Sequence, residues 1–165
     1  MLEWFEKVFG WLPKEWFVAL VSMVPVIELR GGLPVAYAMG MSIWLALPLC
    51  IIANLLPVPF ILWLITPIFN ALKKTKLFRP MVEKLEARAS GKSDRVEKGW
   101  FWGLVLFVGI PLPGTGAWTG ALIAAMLNIP FKKAFPAIVL GVLIAAAIVG
   151  MLVWGLLDPL LMLFA

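Results

Sequence analysis

Histidine is missing from this 165-residue chain, cysteine occurs once, at Cys50, and tyrosine once, at Tyr37. Without histidine or paired cysteines there is no ligand set for zinc and no disulfide framework. No G-x-x-x-x-G-K-[ST] loop occurs, which excludes ATP binding by that device, and no G-x-S-x-G supplies a nucleophile. The chain reads as a non-enzyme that needs no cofactor. Charge is scarce as well: 14% of residues are charged and 63% are hydrophobic. Soluble domains carry roughly 25% charged and about 45–50% apolar residues. With a mean hydropathy of +1.02, the composition is that of an integral membrane protein whose first partner is the lipid bilayer.

The net charge of +5 has one source: nine basic and four acidic residues lie between Lys73 and Lys98. A basic stretch between apolar blocks marks a cytoplasmic loop rather than a nucleic-acid site. Within it "RPMVEKLEARAS" puts Met81, Val82 and Leu85 on one helical face, suited to the membrane surface. "DRVE", Asp94–Glu97, has capping-box spacing at the entry to the next block. The start, "MLEWFEKVFGWLPKEW", mixes acids with aromatics and reads as an interfacial helix over 1–15 rather than a signal peptide.

Four apolar blocks follow: Trp16–Gly40, Ser42–Phe69, Trp100–Leu127 and Phe135–Phe164. Four plain crossings would put the basic linker on one side and Lys132 and Lys133 on the other, against the positive-inside tendency. If blocks one and three dip in and return, all these charges share the cytoplasmic side and the termini lie outside. The interiors of those blocks favour this threading. Block one is broken by Pro25, Glu28, Arg30, Gly31, Gly32 and Pro34, and block three by "GIPLPGTGAWTG" at Gly109–Gly120. Proline removes a donor and glycine frees the backbone, and non-helical backbone survives at membrane depth only inside protein or beside water. The expected form is two half-helices around an unwound tip, with Pro34 near the start of the returning half.

A shift of 88 residues lays Pro25 on Pro113, Gly32 on Gly120, Ala36 on Ala124, Ala46 on Ala134 and Pro48 on Pro136. Break falls on break and span on span. The expected fold is an all-α integral membrane protein with an inverted-topology repeat of re-entrant hairpin plus transmembrane helix. Repeat one covers 16–69 (hairpin 16–40, span 42–69), the linker 70–99, and repeat two 100–165 (hairpin 100–127, span 131–164). In the first span, Asn54 either bonds neighbouring backbone in a helix kinked by Pro57 and Pro59 or faces the site. In the second, Gly141, Ala145, Ala146, Ala147 and Gly150 suit close helix packing, within the subunit or in a homodimer.

An ionisable residue at membrane depth is a functional hypothesis by default. Glu28 is the one acid inside an apolar block before Asp158. Burial opposes its charge while Arg30, two residues on, favours it. Three readings stand. The two charges pair with each other or with free backbone and hold the tip folded. Or Glu28 exchanges protons while Arg30 receives an anionic group, helped by Thr115, Thr119 and backbone amides of the second tip. Or Glu28 serves a proton/drug antiporter in which Trp118 and Tyr37 stack on the cargo.

"ELRGGLP" at Glu28–Pro34 and "PLPGTGAWTG" at Pro111–Gly120 resemble the bacterial and archaeal family of small multidrug export proteins, along essentially the whole chain. That family is similar to the DedA/VTT superfamily, whose members are described as having paired re-entrant hairpins and whose relatives transport or scramble lipids. The resemblance implies a prokaryotic plasma-membrane location and a site lined by Glu28, Arg30, Pro111, Pro113, Gly114 and Gly116. It departs from the superfamily in having no arginine in the second hairpin. Together these readings give a small secondary transporter or flippase for an amphiphile or anionic lipid, proton-coupled through Glu28. The expected site comprises Glu28, Arg30, Gly31, Gly32, Pro34, Asn54, Pro111, Pro113, Gly114, Thr115, Gly116, Trp118 and Thr119. A drug antiporter and a membrane scaffold are the alternatives.

Overall fold

The computed structural model describes residues 12–72, 94–112, 114–127 and 129–164. The interfacial helix expected over 1–15 lies almost wholly outside these residues, as do Pro113 and the linker helix with Met81, Val82 and Leu85. Among the described residues every regular element is a helix, and there are no strands. The helices are α1 (Lys14–Met23), α2 (Glu28–Ala38), α3 (Ile43–Leu55), α4 (Pro57–Leu72), α5 (Asp94–Gly109), α6 (Ala117–Met126) and α7 (Phe131–Phe164).

Blocks one and three are not rods. A Cβ placed on Gly32 would strike the Ser22 hydroxyl, although ten residues of straight helix would hold these positions about 15 Å apart. The α2 arm therefore lies back along α1. In block three a Cβ on Gly120 would strike Val108 and reach Leu104 Cδ1 at 3.5 Å, where an unbroken helix would separate them by about 18–24 Å. So α6 lies back along α5. With 10 residues, α1 and α6 are each about 15 Å long, half the roughly 30 Å hydrocarbon core of a bilayer.

The other two blocks are longer. Ile43–Ile65, running through α3 and α4, has 23 residues, and Phe131–Gly155 of α7 has 25; both are long and apolar enough to cross a membrane. The first is interrupted at Leu56, where the next residue, Pro57, cannot donate and takes the first position of α4. Asp94 opens α5, where the capping-box spacing falls.

α7 is the central post, packed against α2 through α6. Gly141 lets α5 approach so closely that an added Cβ would lie 2.9 Å from the Val105 carbonyl oxygen and 2.7 Å from Val108 Cβ. A Cβ added to Gly150 would lie 3.3 Å from Leu47 Cδ2 of α3. Gly141, Ala145, Ala146 and Gly150 face inward while Ala147 faces out, so the small residues serve helix contact within the subunit. The exterior is apolar: Trp44 is 86% exposed, Trp63 78% and Met151 73%. Water would not tolerate such a surface over a whole domain, whereas lipid does.

Candidate functional site

The break in block one falls earlier than the sequence suggests. The turn occupies Val24–Ile27, all exposed, and Glu28 and Arg30 lie in the first turn of α2 rather than on an unwound tip. Pro34 does not open the returning arm; it sits inside α2, exposed. The helix accepts it because its missing N–H removes one bond, to the Arg30 carbonyl, and its ring faces outward. Glycines 31 and 32 serve packing here: a Cβ on Gly31 would strike Ile27, and one on Gly32 would strike Ser22. The turn itself is strained, with φ of +79° at Val26 and +51° at Glu28, values disfavoured for residues with a Cβ.

In block three α5 ends at Gly109 and α6 starts at Ala117, leaving the loop Ile110–Gly116. Every helix end has free groups: carbonyls at its C-terminus, amides at its N-terminus. Prolines 111 and 113 have no N–H with which to satisfy them. The missing partners come from α2 of the other hairpin.

Arg30 supplies the donors. Its Nη2 donates to the carbonyls of Val108 (3.2 Å) and Ile110 (3.1 Å), and its Nη1 donates to those of Leu112 and Thr115. A cation placed there also meets the negative end of the α5 dipole. Glu28 supplies the acceptors. Ala117 N–H donates to Oε2 (3.1 Å) and Trp118 N–H to Oε1 (3.0 Å), so the carboxylate caps α6 from 89 and 90 residues away. Gly116, the residue ahead of α6, has φ 146° and ψ −171°, and a Cβ there would overlap the Glu28 carboxylate. Only glycine fits. A further tie runs from Trp118 Nε1 to the Met23 carbonyl at the end of α1 (3.0 Å), while Thr115 Oγ1 donates within its own loop to Ile110 and Leu112.

Each charge is thus engaged by the backbone of the opposing hairpin, and neither bonds its neighbour. Glu28 is 4% exposed. On a helix, side chains two apart diverge, which is what lets one reach the end of α5 and the other the start of α6.

The other sequence-predicted residues divide. Gly116, Thr115 and Trp118 belong to the junction; Pro111 and Gly114 lie in its loop; Thr119, half-buried on α6, takes none of these bonds. Asn54, 2% exposed on α3, borders the junction: with Glu28, Arg30, Gly116, Val142 and Ala145 it lines a narrow gap too small to hold a water molecule. Its Oδ1 has no hydrogen-bond partner. Tyr37 is elsewhere, edge-on to Trp154 at 5.4 Å. With Trp118 tied to Met23, the two rings do not form one stacking site. Sequence reasoning missed Ser22, buried against Gly32 and bonded to the Val18 carbonyl at 2.9 Å. The legible signal was a lone hydroxyl in an apolar run. Larger openings are apolar grooves away from the junction, one of about 750 Å³ lined by Phe60, Trp63, Pro130 and Phe131 among others.

A family model described as "putative small multi-drug export protein" matches residues 28–148, from Glu28, just after the first turn, through the break in block three into α7. No curated protein and no solved structure matches.

Proposed function

The chain belongs to the family of small multi-drug export proteins, and from that premise we propose that it is a secondary transporter of amphiphiles gated where its two hairpins meet. In this reading α1–α2 and α5–α6 are re-entrant hairpins entering from opposite faces, and Ile43–Ile65 and Phe131–Gly155 cross between them. The half-length arms support it, since a 10-residue helix cannot span a roughly 30 Å core. So does the way Arg30 and Glu28 satisfy the carbonyls beyond α5 and the first two amides of α6 from within the protein, as unwound backbone in lipid requires.

One observation carries the gating proposal: a buried carboxylate holds the first two amides of α6. As a carboxylate Glu28 accepts both; as a carboxylic acid it is a weaker acceptor and must place its own proton. A proton arriving at Glu28 therefore loosens the α6 end of the junction. Arg30 then sits on the carbonyls of Val108 and the following loop beside a neutral Glu28, and an anionic headgroup competes for it. The cargo is an amphiphile because the open grooves are apolar and the polar junction, too tight for even a water molecule, has no room for it while closed. Passage runs along the exposed apolar flank, completed by a second copy of the chain.

The same saturation of both charges favours a second reading, a membrane scaffold in which the junction is permanent. Vesicles holding the purified protein separate the two. Fluorescent phospholipid, a polyprenyl phosphate and a cationic dye are presented in turn across a range of pH. Transport predicts movement of at least one probe that depends on pH, and Glu28→Gln makes the residual rate pH-independent. If Glu28→Gln moves cargo like the wild type at every pH, coupling through Glu28 is wrong. If no probe moves, the scaffold reading stands.

A further inference from the structure

Asn54 is the one buried polar side chain at the junction that the clamp does not use. Its Oδ1 is an acceptor sealed from solvent with no donor in reach, an arrangement folded proteins rarely keep without a reason. The space it borders is shared with Glu28. While Glu28 is a carboxylate, that space is lined by two acceptors, and a carboxylate has no proton to offer an amide oxygen.

A single proton on Glu28 reverses the mismatch. The carboxylic acid carries one O–H donor, and Asn54 Oδ1 has an acceptor position to receive it. We infer that Asn54 Oδ1 receives the hydrogen bond of protonated Glu28, so that the narrow gap between them is the seat of the coupling proton. The inference rests on the proton exchange proposed above and adds the partner that makes the loaded state stable. The proton comes from water on one side and leaves to water on the other; no covalent bond other than O–H forms or breaks. Asn54 is a positioning residue: it selects which carboxyl oxygen is protonated and directs that proton away from the Ala117 and Trp118 amides.

The surroundings allow this assignment. Among the described residues Arg30 is the one charged group besides Glu28 on that space. Its guanidinium is held by carbonyls of α5 and its loop. α5 contributes Val108, α6 Ala117 and α7 Val142 and Ala145, none of them titratable. Cys50, one turn before Asn54 on α3, stands against Gly32 instead.

Infrared difference spectra of the full chain in lipid, recorded across pH, read the carboxyl directly. Wild type should give a protonated-carboxyl band that vanishes in Glu28→Gln. In Asn54→Leu that band should persist, move to higher wavenumber for want of an acceptor, and need about tenfold more protons to reach half-intensity, the equivalent of one neutral hydrogen bond. Asn54→Ala serves as the second variant should leucine disturb the packing, with the same expected direction. A Glu28 band unchanged in position and midpoint in these variants overturns the Asn54 assignment and leaves proton exchange at Glu28 standing. The absence of any Glu28 band in the wild type overturns both. Loss of the band when sodium replaces potassium at constant ionic strength would give the space to a metal ion, and that also overturns it.

Discussion

Gly116→Ala probes the junction without touching either charge. The new methyl meets two obstacles. The backbone, at φ 146° and ψ −171°, lies in a region essentially reserved for glycine, at about 1–3 kcal/mol. The methyl would also occupy the place of the Glu28 carboxylate, which must withdraw and leave the amides of Ala117 and Trp118 without acceptors. Losing a helix cap costs about 0.5–2 kcal/mol, and each stranded buried donor about 1–3. These contributions overlap, giving a destabilisation of about 3–5 kcal/mol. For a chain of this size that is a fall in Tm of about 6–20 °C. Tryptophan-fluorescence melting in detergent measures it. Two controls assign the loss. Gly114→Ala has a similarly disfavoured φ of 79° but open space around its Cβ, so only the strain, about 1–3 kcal/mol, should appear. In a Glu28→Ala background the carboxylate is already gone, and Gly116→Ala should cost little beyond its own strain. Fully additive losses for Glu28→Ala and Gly116→Ala would refute the contact between them.

Other expectations follow from the same geometry. Arg30→Lys keeps the charge but replaces the fork that serves four carbonyls with a single ammonium, so Tm should fall by about 4–12 °C, corresponding to roughly 2–3 kcal/mol, rather than stay unchanged. For the threading, Ser42→Cys and Lys132→Cys, made at exposed positions on a Cys50→Ala background, should label from opposite faces of intact cells, with Lys132→Cys on the side of the 73–93 linker. Labelling of Lys132→Cys from the face opposite the linker would end the re-entrant arrangement.

Much of this was legible in the sequence because helix breaks are written in local chemistry. Pro25, and the run of proline and glycine over Ile110–Gly116, announce two interruptions whatever the tertiary context. The charged pair stands out because lipid leaves it no neutral explanation. The inward face of α7 could be read from Gly141, Ala145 and Gly150 because close helix contact needs small residues. What could not be read was the pairing. Glu28 and Arg30 bind main-chain groups, and an amide at position 117 has no signature distinguishing it from any other. Their partners are fixed by the docking of one hairpin on another some ninety residues away. The position of the first tip failed for a different reason. Pro34 and the two glycines disfavour helix locally, but α2 is held by Ser22, α7 and the capped end of α6, and packing overrides that preference. Gly116 was expected in the site, through the resemblance and as one of a flexible run, but its meaning lies in the carboxylate that occupies the place of its side chain.

The account depends on a carboxylate from one hairpin capping the broken helix of the other. Nuclear magnetic resonance of the protein in a membrane mimetic, with Ala117 and Trp118 amides assigned, reads that bond. Both amides should resonate at low field and exchange slowly in the wild type, and both should move upfield and exchange faster in Glu28→Gln, while amides in the middle of α7 stay as they were. Ala117 and Trp118 signals indifferent to Glu28 would contradict it.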